Sequence, residues 1–140
     1  MRMEVQFPSE AIAQMEKMGE LDRVAPIMLK KASQPVKNSL QRFAEVHTRT
    51  GEMARSVRAQ APKKNKYGGW GSRVNFSGYD RNREPTPGYP RGVPNAVKAA
   101  AIEYGNRNQR ASPFVQAAAD AAQDEAVSIM QKTYEEECCQ

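Results

Sequence analysis

The fold is decided near the end of the chain, by the stretch Ala101-Ile102-Glu103-Tyr104-Gly105-Asn106-Arg107-Asn108-Gln109-Arg110-Ala111-Ser112-Pro113-Phe114-Val115. We expect it to contain the end of a short strand, a reversal at Gly105-Asn106 and the start of the last helix. Glycine and asparagine both tolerate positive φ, so these two residues can turn the chain. Ser112 before Pro113 is typical of a helix start, because the hydroxyl accepts from an unpaired amide and proline at the first helical position gives up a donor that has no partner.

Alternation of apolar and polar residues predicts two strands upstream of that stretch. Residues 3–7 alternate with period two, which is typical of a short, half-buried strand. Residues 70–76 alternate in the same way, and we expect them to form a hairpin with residues 57–61 across a basic tip at 63–68. Pro62 is predicted to stop the strand 57–61 because proline lacks a backbone donor.

The apolar run 96–104 is predicted to be the last strand of the sheet. Its alanines at 99–101 suit a helix equally well, and periodicity alone does not separate the two structures in so short a run. Both interpretations therefore stay open here, with the strand as the prediction.

Apolar residues at helical spacing predict a first long helix from about Asp22 to His47. Pro26 fits its first turn, but Pro35 removes an internal hydrogen bond, so we expect a kink or a short break there. A brief helix is predicted at 8–18, and a short helical turn after Gly51.

The last helix is predicted to run from Ser112 to about Tyr134, with an alanine-rich face that permits close packing. Residues 135–140 are expected to fray, because Glu135-Glu136-Glu137 face the negative end of the helix dipole. The whole chain is predicted to be one α+β domain, 1–140. In it, a small three- to four-stranded, mostly antiparallel sheet is packed by the kinked N-terminal helix and the long C-terminal helix.

Residues 62–95 contain five prolines and six glycines, which excludes a long regular helix, and no element is assigned from 78 to 95. An irregular excursion of this length in a small domain is usually functional or disordered. We expect this loop and the basic tip to contact another surface. The residues suited to that contact are Lys63, Lys64, Lys66, Tyr67, Trp70, Arg73, Tyr79, Arg81, Arg83, Tyr89 and Arg91.

The net charge of +5 conceals an uneven distribution along the chain. Residues 1–48 carry a net charge of +1, residues 49–110 carry +9, and residues 111–140 carry −5. A basic middle and an acidic end can attract each other between copies of the same chain, or the middle can face a polyanion. A mixed, solvated surface is the third interpretation.

The sequence offers no set of residues for catalysis, so an enzyme is not expected. There is one histidine, His47, at a predicted helix end, where it is expected to cap the helix or face solvent rather than react. No phosphate-binding loop and no metal-ligand spacing occur, so neither cofactor nor metal is predicted. The adjacent Cys138 and Cys139 are interpreted as reduced and incidental. No apolar run approaches a membrane span and no secretion signal is visible, so a soluble cytosolic protein is the default expectation.

Three motifs, spaced over residues 21–134, resemble those of the small head–tail joining proteins of long-tailed bacteriophages, also called neck or tail-completion proteins. The first is Thr50-Gly51-Glu52-Met53-Ala54-Arg55-Ser56-Val57, similar to a Thr-Gly-x-hydrophobic-x-x-Ser-hydrophobic element. The second is Glu103-Tyr104-Gly105, similar to a strand that ends in Glu-aromatic-Gly. The third is Pro113-Phe114, which resembles the opening of the family's terminal helix.

The resemblance implies a non-enzymatic structural protein of the virion, assembled in the host cytoplasm. Copies would form a ring of six, with twelve as the alternative, between the portal or head-closure complex and the tail tube. Viral DNA would pass through its lumen, and no membrane would be involved. The tip 62–68 and the loop 78–95 would reach either a neighbouring ring or this lumen. A head-to-tail ring needs one patch complementary to a different patch, and the acidic last helix meeting a neighbour's basic middle is one such pairing.

A different class of function is also compatible with the basic middle of the chain. Lys63, Lys64, Lys66 and Arg73, with the aromatic residues Tyr67 and Trp70, could form a phosphate-contacting and base-stacking surface. The alternative to the joining protein is therefore a basic nucleic-acid-binding module.

Overall fold

A computed structural model describes residues 3–5, 10, 21–47, 51–81 and 84–138 of the chain. Apart from Glu10, the predicted helix 8–18 lies outside these residues, as do Thr50 and Arg83. The elements, in chain order, are β1 (Met3–Val5), α1 (Leu21–Glu45), α2 (Glu52–Arg55), β2 (Val57–Ala59), β3 (Lys63–Lys64), β4 (Trp70–Phe76), α3 (Asn95–Tyr104) and α4 (Phe114–Cys138).

The four strands form one antiparallel sheet with β4 at its centre. β1 pairs with one edge of β4, with Met3 opposite Val74, and β2 pairs with the other edge, with Val57 opposite Phe76. β3 continues beyond β2 on that second edge, with Lys64 opposite Trp70. The predicted α+β class and the predicted hairpin of 57–61 with 70–76 are confirmed.

A β-bulge joins β2 to β3, so Pro62 interrupts the hairpin without ending it. Gln60 still donates to the Arg73 carbonyl at 2.8 Å in the register of β2, but β3 is shifted by one residue. Ala61 and Pro62 therefore oppose the single residue Ser72. The Ser72 hydroxyl donates to the Gln60 carbonyl at 3.0 Å, which gives a partner to a backbone group at the irregularity.

α1 and α4 pack antiparallel, and their interface forms much of the hydrophobic core. α1 runs through Pro35 without a break. The Ser39 hydroxyl donates to the Ala118 carbonyl at 2.8 Å, an approach that the small side chain of Ala118 permits. Buried alanines at 118, 122 and 126 continue this face along α4.

The last helix extends to Cys138, four residues beyond the predicted end at Tyr134. Two cations on α1 lie beside two of the three glutamates that are expected to fray this end. Arg23 lies 3.0 Å from the Glu137 carboxylate and also donates to the Glu137 carbonyl, and Lys31 lies 3.9 Å from Glu136. Residues 135–138 thus continue α4, and these tertiary ion pairs oppose the expected fraying, which stays a prediction.

The prediction of a last strand at 96–104 is wrong, because residues 95–104 form the helix α3. Asn95, Ala99 and Glu103 are its buried residues, and their spacing of four places them on one face of a helix. The three central alanines favour this outcome through their high helix propensity. The sheet therefore consists of β1 to β4 and receives no strand from residues 96–104. In the chain, α3 lies between the loop 78–95 and the start of α4.

The elements define two opposite ends of the molecule. The tip end consists of the hairpin tip 63–69, the start of α1 and the end of α4, which Lys64–Asp22 and Arg23–Glu137 contacts hold together. The loop end consists of α2, the loop 78–95, the turn 105–112, the end of α1 and the start of α4. β4 runs from one end to the other, a distance of about 20 Å at 3.3 Å per residue.

Candidate functional site

The two family-motif segments near the C-terminus meet at the loop end, where Glu103 caps α4. The Glu103 carboxylate accepts from the backbone N–H of Val115 at 2.7 Å and from that of Gln116 at 3.2 Å. Only 8% of Glu103 is exposed, so its charge is matched by unpaired amides and by the positive end of the helix dipole. The carboxylate of Glu103 on α3 therefore caps the N-terminus of α4, a role that the sequence pattern predicts for Ser112.

Ser112 has a different role from the predicted helix cap. Its N–H donates to the Ile102 carbonyl at 2.8 Å, and its hydroxyl lies 3.5 Å from Nε2 of His47. The first α4 amide with a helical acceptor is that of Ala117, which donates to the carbonyl of Pro113. Proline still starts the helix, but the capping oxygen comes from Glu103.

Phe114 is the apolar centre of the loop end. It is 4% exposed, and its ring centroid lies 5.1 Å from that of His47 and 6.0 Å from that of Phe76. His47 is half-buried against this ring rather than facing solvent. The ends of α1 and β4 are thereby joined to the start of α4.

The turn at Gly105 requires glycine for two reasons. Its φ is +75°, and a Cβ there would lie 2.6 Å from the backbone nitrogen of Ala111. The chain therefore passes close to itself between α3 and α4. Asn106 pairs with Gln109 through its backbone, and its Oδ1 accepts from the amides of Asn108 and Gln109. The predicted reversal at Gly105-Asn106 is found, although a helix and not a strand precedes it.

The motif that begins at Thr50 forms the corner between α1 and β2, as far as the described residues show it. Gly51 has φ +77° and leads into α2. Ser56 is buried: its hydroxyl donates to the Met53 carbonyl at 2.6 Å, and its carbonyl accepts from the Ser77 hydroxyl at 2.8 Å. This corner fixes the start of β2 beside the end of β4.

At the tip end and along β4, three of the six residues predicted for the basic surface contact acidic side chains of the same chain. Asp22 accepts from the indole N–H of Trp70 at 3.0 Å and from Lys64 at 3.0 Å. These two hydrogen bonds, the Trp70 bond first, lower the pKa of Asp22. Arg73 lies 3.2 Å from the carboxylate of Glu4, its partner on β1.

The other three tip residues are exposed. Tyr67 is 84% exposed, the Lys66 ammonium lies 5.0 Å above its ring, and Lys63 faces solvent on β3. Asn65 builds the turn itself, with Oδ1 accepting from the amides of Tyr67 and Gly69 at 2.9 Å.

The loop 78–95 contains no helix or strand in its described residues before α3, in agreement with the prediction, but its base is well connected. Asp80 is buried and lies 3.1 Å from Lys98 on α3, while its N–H donates to the Val93 carbonyl at 2.8 Å. Farther out, Thr86 and Tyr89 pair through their backbones. The base of the loop is therefore held by contacts with α3 and between its own two strands of backbone. Tyr79 and Tyr89, which belong to the loop, are both 41% exposed.

The loop end carries a set of cations that the chain itself does not neutralise. Besides Arg42 at the end of α1, whose guanidinium lies 5.5 Å from the centre of the Phe43 ring, six arginines there are exposed and form no ion pair with any residue that the structure describes. They are Arg55, Arg58, Arg81, Arg91, Arg107 and Arg110. Sequence reasoning selected Arg81 and Arg91 but missed the other four, because only the fold brings α2, β2 and the turn 105–112 to the same end as the loop.

The predicted contact residues thus form two separate surfaces. The structure brings Tyr79, Arg81, Tyr89 and Arg91 together at the loop end. It places Lys63, Lys64, Lys66, Tyr67 and Trp70 at the other end of β4, about 20 Å away, and Arg73 in the middle of that strand beside Glu4. A single basic face that includes both groups does not form.

The described residues hold no group of three or more His, Cys, Asp or Glu side chains that could bind a metal ion. Among those same residues, no helix is both long and apolar enough to cross a membrane. Comparison with protein-family models, with curated proteins and with solved structures finds no match to this chain.

Proposed function

We propose that the chain is a structural subunit of the head–tail junction of a long-tailed bacteriophage. In this role copies form a ring, six in number, between the portal-side complex and the tail tube, and viral DNA passes through the ring. The chain performs no reaction of its own. Its loop end contacts an adjoining subunit or an adjoining ring.

The observation that carries the proposal is the exposed, unpaired positive charge of the loop end. Six arginines and two half-exposed tyrosines lie there around a rigid centre formed by Phe114 and the Glu103 cap. Tyrosine and arginine are enriched where proteins bind other proteins. The motif residues that resemble the family hold this surface in place, since they build the corner at Ser56, the turn at Gly105 and the cap at Glu103.

The nucleic-acid module receives less support from the same geometry. Of the surface that it would use, Trp70, Lys64 and Arg73 contact acidic side chains within the chain. A stacking role for Trp70 would require its hydrogen bond to Asp22 to be broken. Only Lys63, Lys66 and Tyr67 remain as an exposed group, too few for the many phosphate contacts that strong binding needs.

A loop deletion tests the proposed function. Removing residues 82–91 and joining Arg81 to Gly92 through Asn-Gly keeps Asp80 and Val93, whose backbones pair, and connects them by a short four-residue loop. We expect the variant to fold but not to join heads to tails. The assay mixes it with heads and tails from a phage that lacks the chain, and counts joined particles by electron microscopy.

The matched control replaces Lys63 and Lys66 by Ser at the tip end, and it should join heads to tails normally. Mass measurement of the unmodified chain gives an independent check, because six copies of the 15.6 kDa chain have a mass of about 94 kDa. If the loop deletion joins heads and tails as well as the unmodified chain, the loop end is not the joining surface. Tight, salt-dependent binding of a monomer to duplex DNA would support the nucleic-acid module instead.

A further inference from the structure

A cleft of about 570 Å³ lies at the loop end between α2, the start of β2 and the base of the loop. Three of the unpaired arginines line it: Arg55, Arg58 and Arg81. Arg58 is held in place, because its guanidinium donates to the carbonyls of Arg55 and Val57 at 2.6 and 2.9 Å. The other two guanidiniums have no partner within the part of the chain that the structure describes.

The cleft also contains groups that a simple anion would not satisfy. Asn95, which is 2% exposed, donates through Nδ2 to the Ser77 carbonyl, but its Oδ1 accepts no hydrogen bond from the described residues. The Glu52 carboxylate also lines the cleft, where it accepts from the N–H of Arg81 and would repel a simple anion. The arginines therefore require a partner that carries negative charge, and the nearby Glu52 carboxylate favours the spaced carboxylates of a polypeptide surface over a continuous phosphate backbone.

The same chain presents a surface of that composition on the outer face of α4. Asp120 and Asp124 are exposed one turn apart, and neither forms an ion pair with a described residue. Gln116 donates to the carboxylate of Asp120 at 3.0 Å, so amide donors accompany the acids. Glu136 and Glu137 are excluded from this surface because Lys31 and Arg23 of the same chain neutralise them.

We propose that the arginine cleft of one copy binds the Asp120–Asp124 face of α4 on the next copy. The inference rests on the proposed ring and names the contact that closes it. Head-to-tail contacts join two different patches of the same chain, and these two patches carry opposite, unneutralised charge. No ion pair among the described residues joins them within one chain, so both stay available to a neighbour.

A charge-exchange experiment tests the contact. The cleft variant carries R55E and R81E, the face variant carries D120K and D124K, and a fourth protein carries all four changes. That fourfold variant keeps the net charge of +5, so general electrostatic effects are matched. A control, K63E with K66E, makes the same charge change as the cleft variant at the tip end. Assembly is followed by sedimentation and light scattering, and folding by circular dichroism.

We expect the cleft and face variants each to need at least about ten-fold more protein to assemble than the unmodified chain. The fourfold variant should regain assembly because the opposite charges meet again, and the tip control should assemble normally. Assembly of both single-patch variants at the concentration of the unmodified chain would overturn the inference. So would failure of a folded fourfold variant, or an unmodified chain that stays monomeric.

Two further results separate this inference from its alternatives. If the cleft variant assembles normally but loses binding to a 30-base-pair DNA duplex, the cleft binds nucleic acid and the inference is wrong. If the single-patch variants assemble normally and still join heads to tails, the ring closes through another contact, and the proposed function stands without this one.

Discussion

At the tip end and along the sheet, Lys64 lies 3.0 Å from Asp22 and Arg73 lies 3.2 Å from Glu4, whereas the six arginines of the loop end have no such partners among the described residues. The two ends also differ in what holds them together. Buried groups, Phe114 and Glu103, fix the loop end, while exposed hydrogen bonds to Asp22 fix the tip. The comparison shows that positive charge in the sequence becomes available to a partner only where tertiary contacts leave it unpaired.

The largest expected effect is at the centre of the loop end. Phe114→Ala should lower the free energy of unfolding by about 3–5 kcal/mol, because it removes a buried aromatic ring and leaves a cavity between His47 and Phe76. Urea unfolding followed by circular dichroism measures the loss. Tyr67→Ala at the tip is the matched aromatic control, and since Tyr67 is 84% exposed it should change stability by less than about 0.5 kcal/mol. Equal effects of the two substitutions would remove the distinction between a buried and a solvated end.

A smaller effect is expected at the cap of α4. Glu103→Gln keeps the shape of the side chain but removes its charge and sets an amide donor against the N–H groups of Val115 and Gln116. We expect a loss of about 1–3 kcal/mol in the free energy of unfolding, from the unsatisfied amides and the lost dipole interaction. Glu125→Gln, on the exposed face of the same helix, is the control. A loss at Glu103 no greater than that at Glu125 would show that the carboxylate does not cap the helix.

Sequence patterns predicted those elements whose contacts are local or periodic. Period-two alternation located β4 and the hairpin, and helical spacing located α1 and α4, because in both cases one face meets the core. The segment 95–104 was ambiguous, since a short run rich in alanine fits a strand or a helix until its neighbours are known. The role of Glu103 depended on that choice, because its carboxylate reaches the N–H of Val115 from the last turn of the helix α3.

The pairing of charges could not be predicted, because it joins residues far apart in the chain. Asp22 contacts Lys64 and Trp70, which lie 42 and 48 residues away, and Arg23 contacts Glu137, 114 residues away. Composition alone therefore does not distinguish, among the cations of residues 49–110, those that can bind a partner from those that are paired within the chain. The structure pairs Lys64, Arg73 and Lys98 with carboxylates. Among the described residues it leaves Lys63 and Lys66 at the tip and the six arginines at the loop end without an ion pair.

The smallest expected effect lies at the tip, where acid should release the contact that Asp22 makes with Trp70. Hydrogen bonds from Trp70 and then Lys64 lower the pKa of Asp22 in the folded chain, so this contribution to stability is present above the ordinary aspartate pKa of about 3.9. It is lost as the pH falls below that value through the lowered pKa.

Trp70 is the only tryptophan, so its fluorescence reports the tip directly. We expect its emission to change over this acidic range while the circular dichroism of the helices is still that of the folded chain, because the bond lies on an exposed turn and not in the core. Asp22→Asn should abolish the pH-dependent step and give the low-pH emission at neutral pH. A step that survives in Asp22→Asn would mean that another group controls the tip, and a step that coincides with loss of helix would mean that the tip end is held as firmly as the loop end.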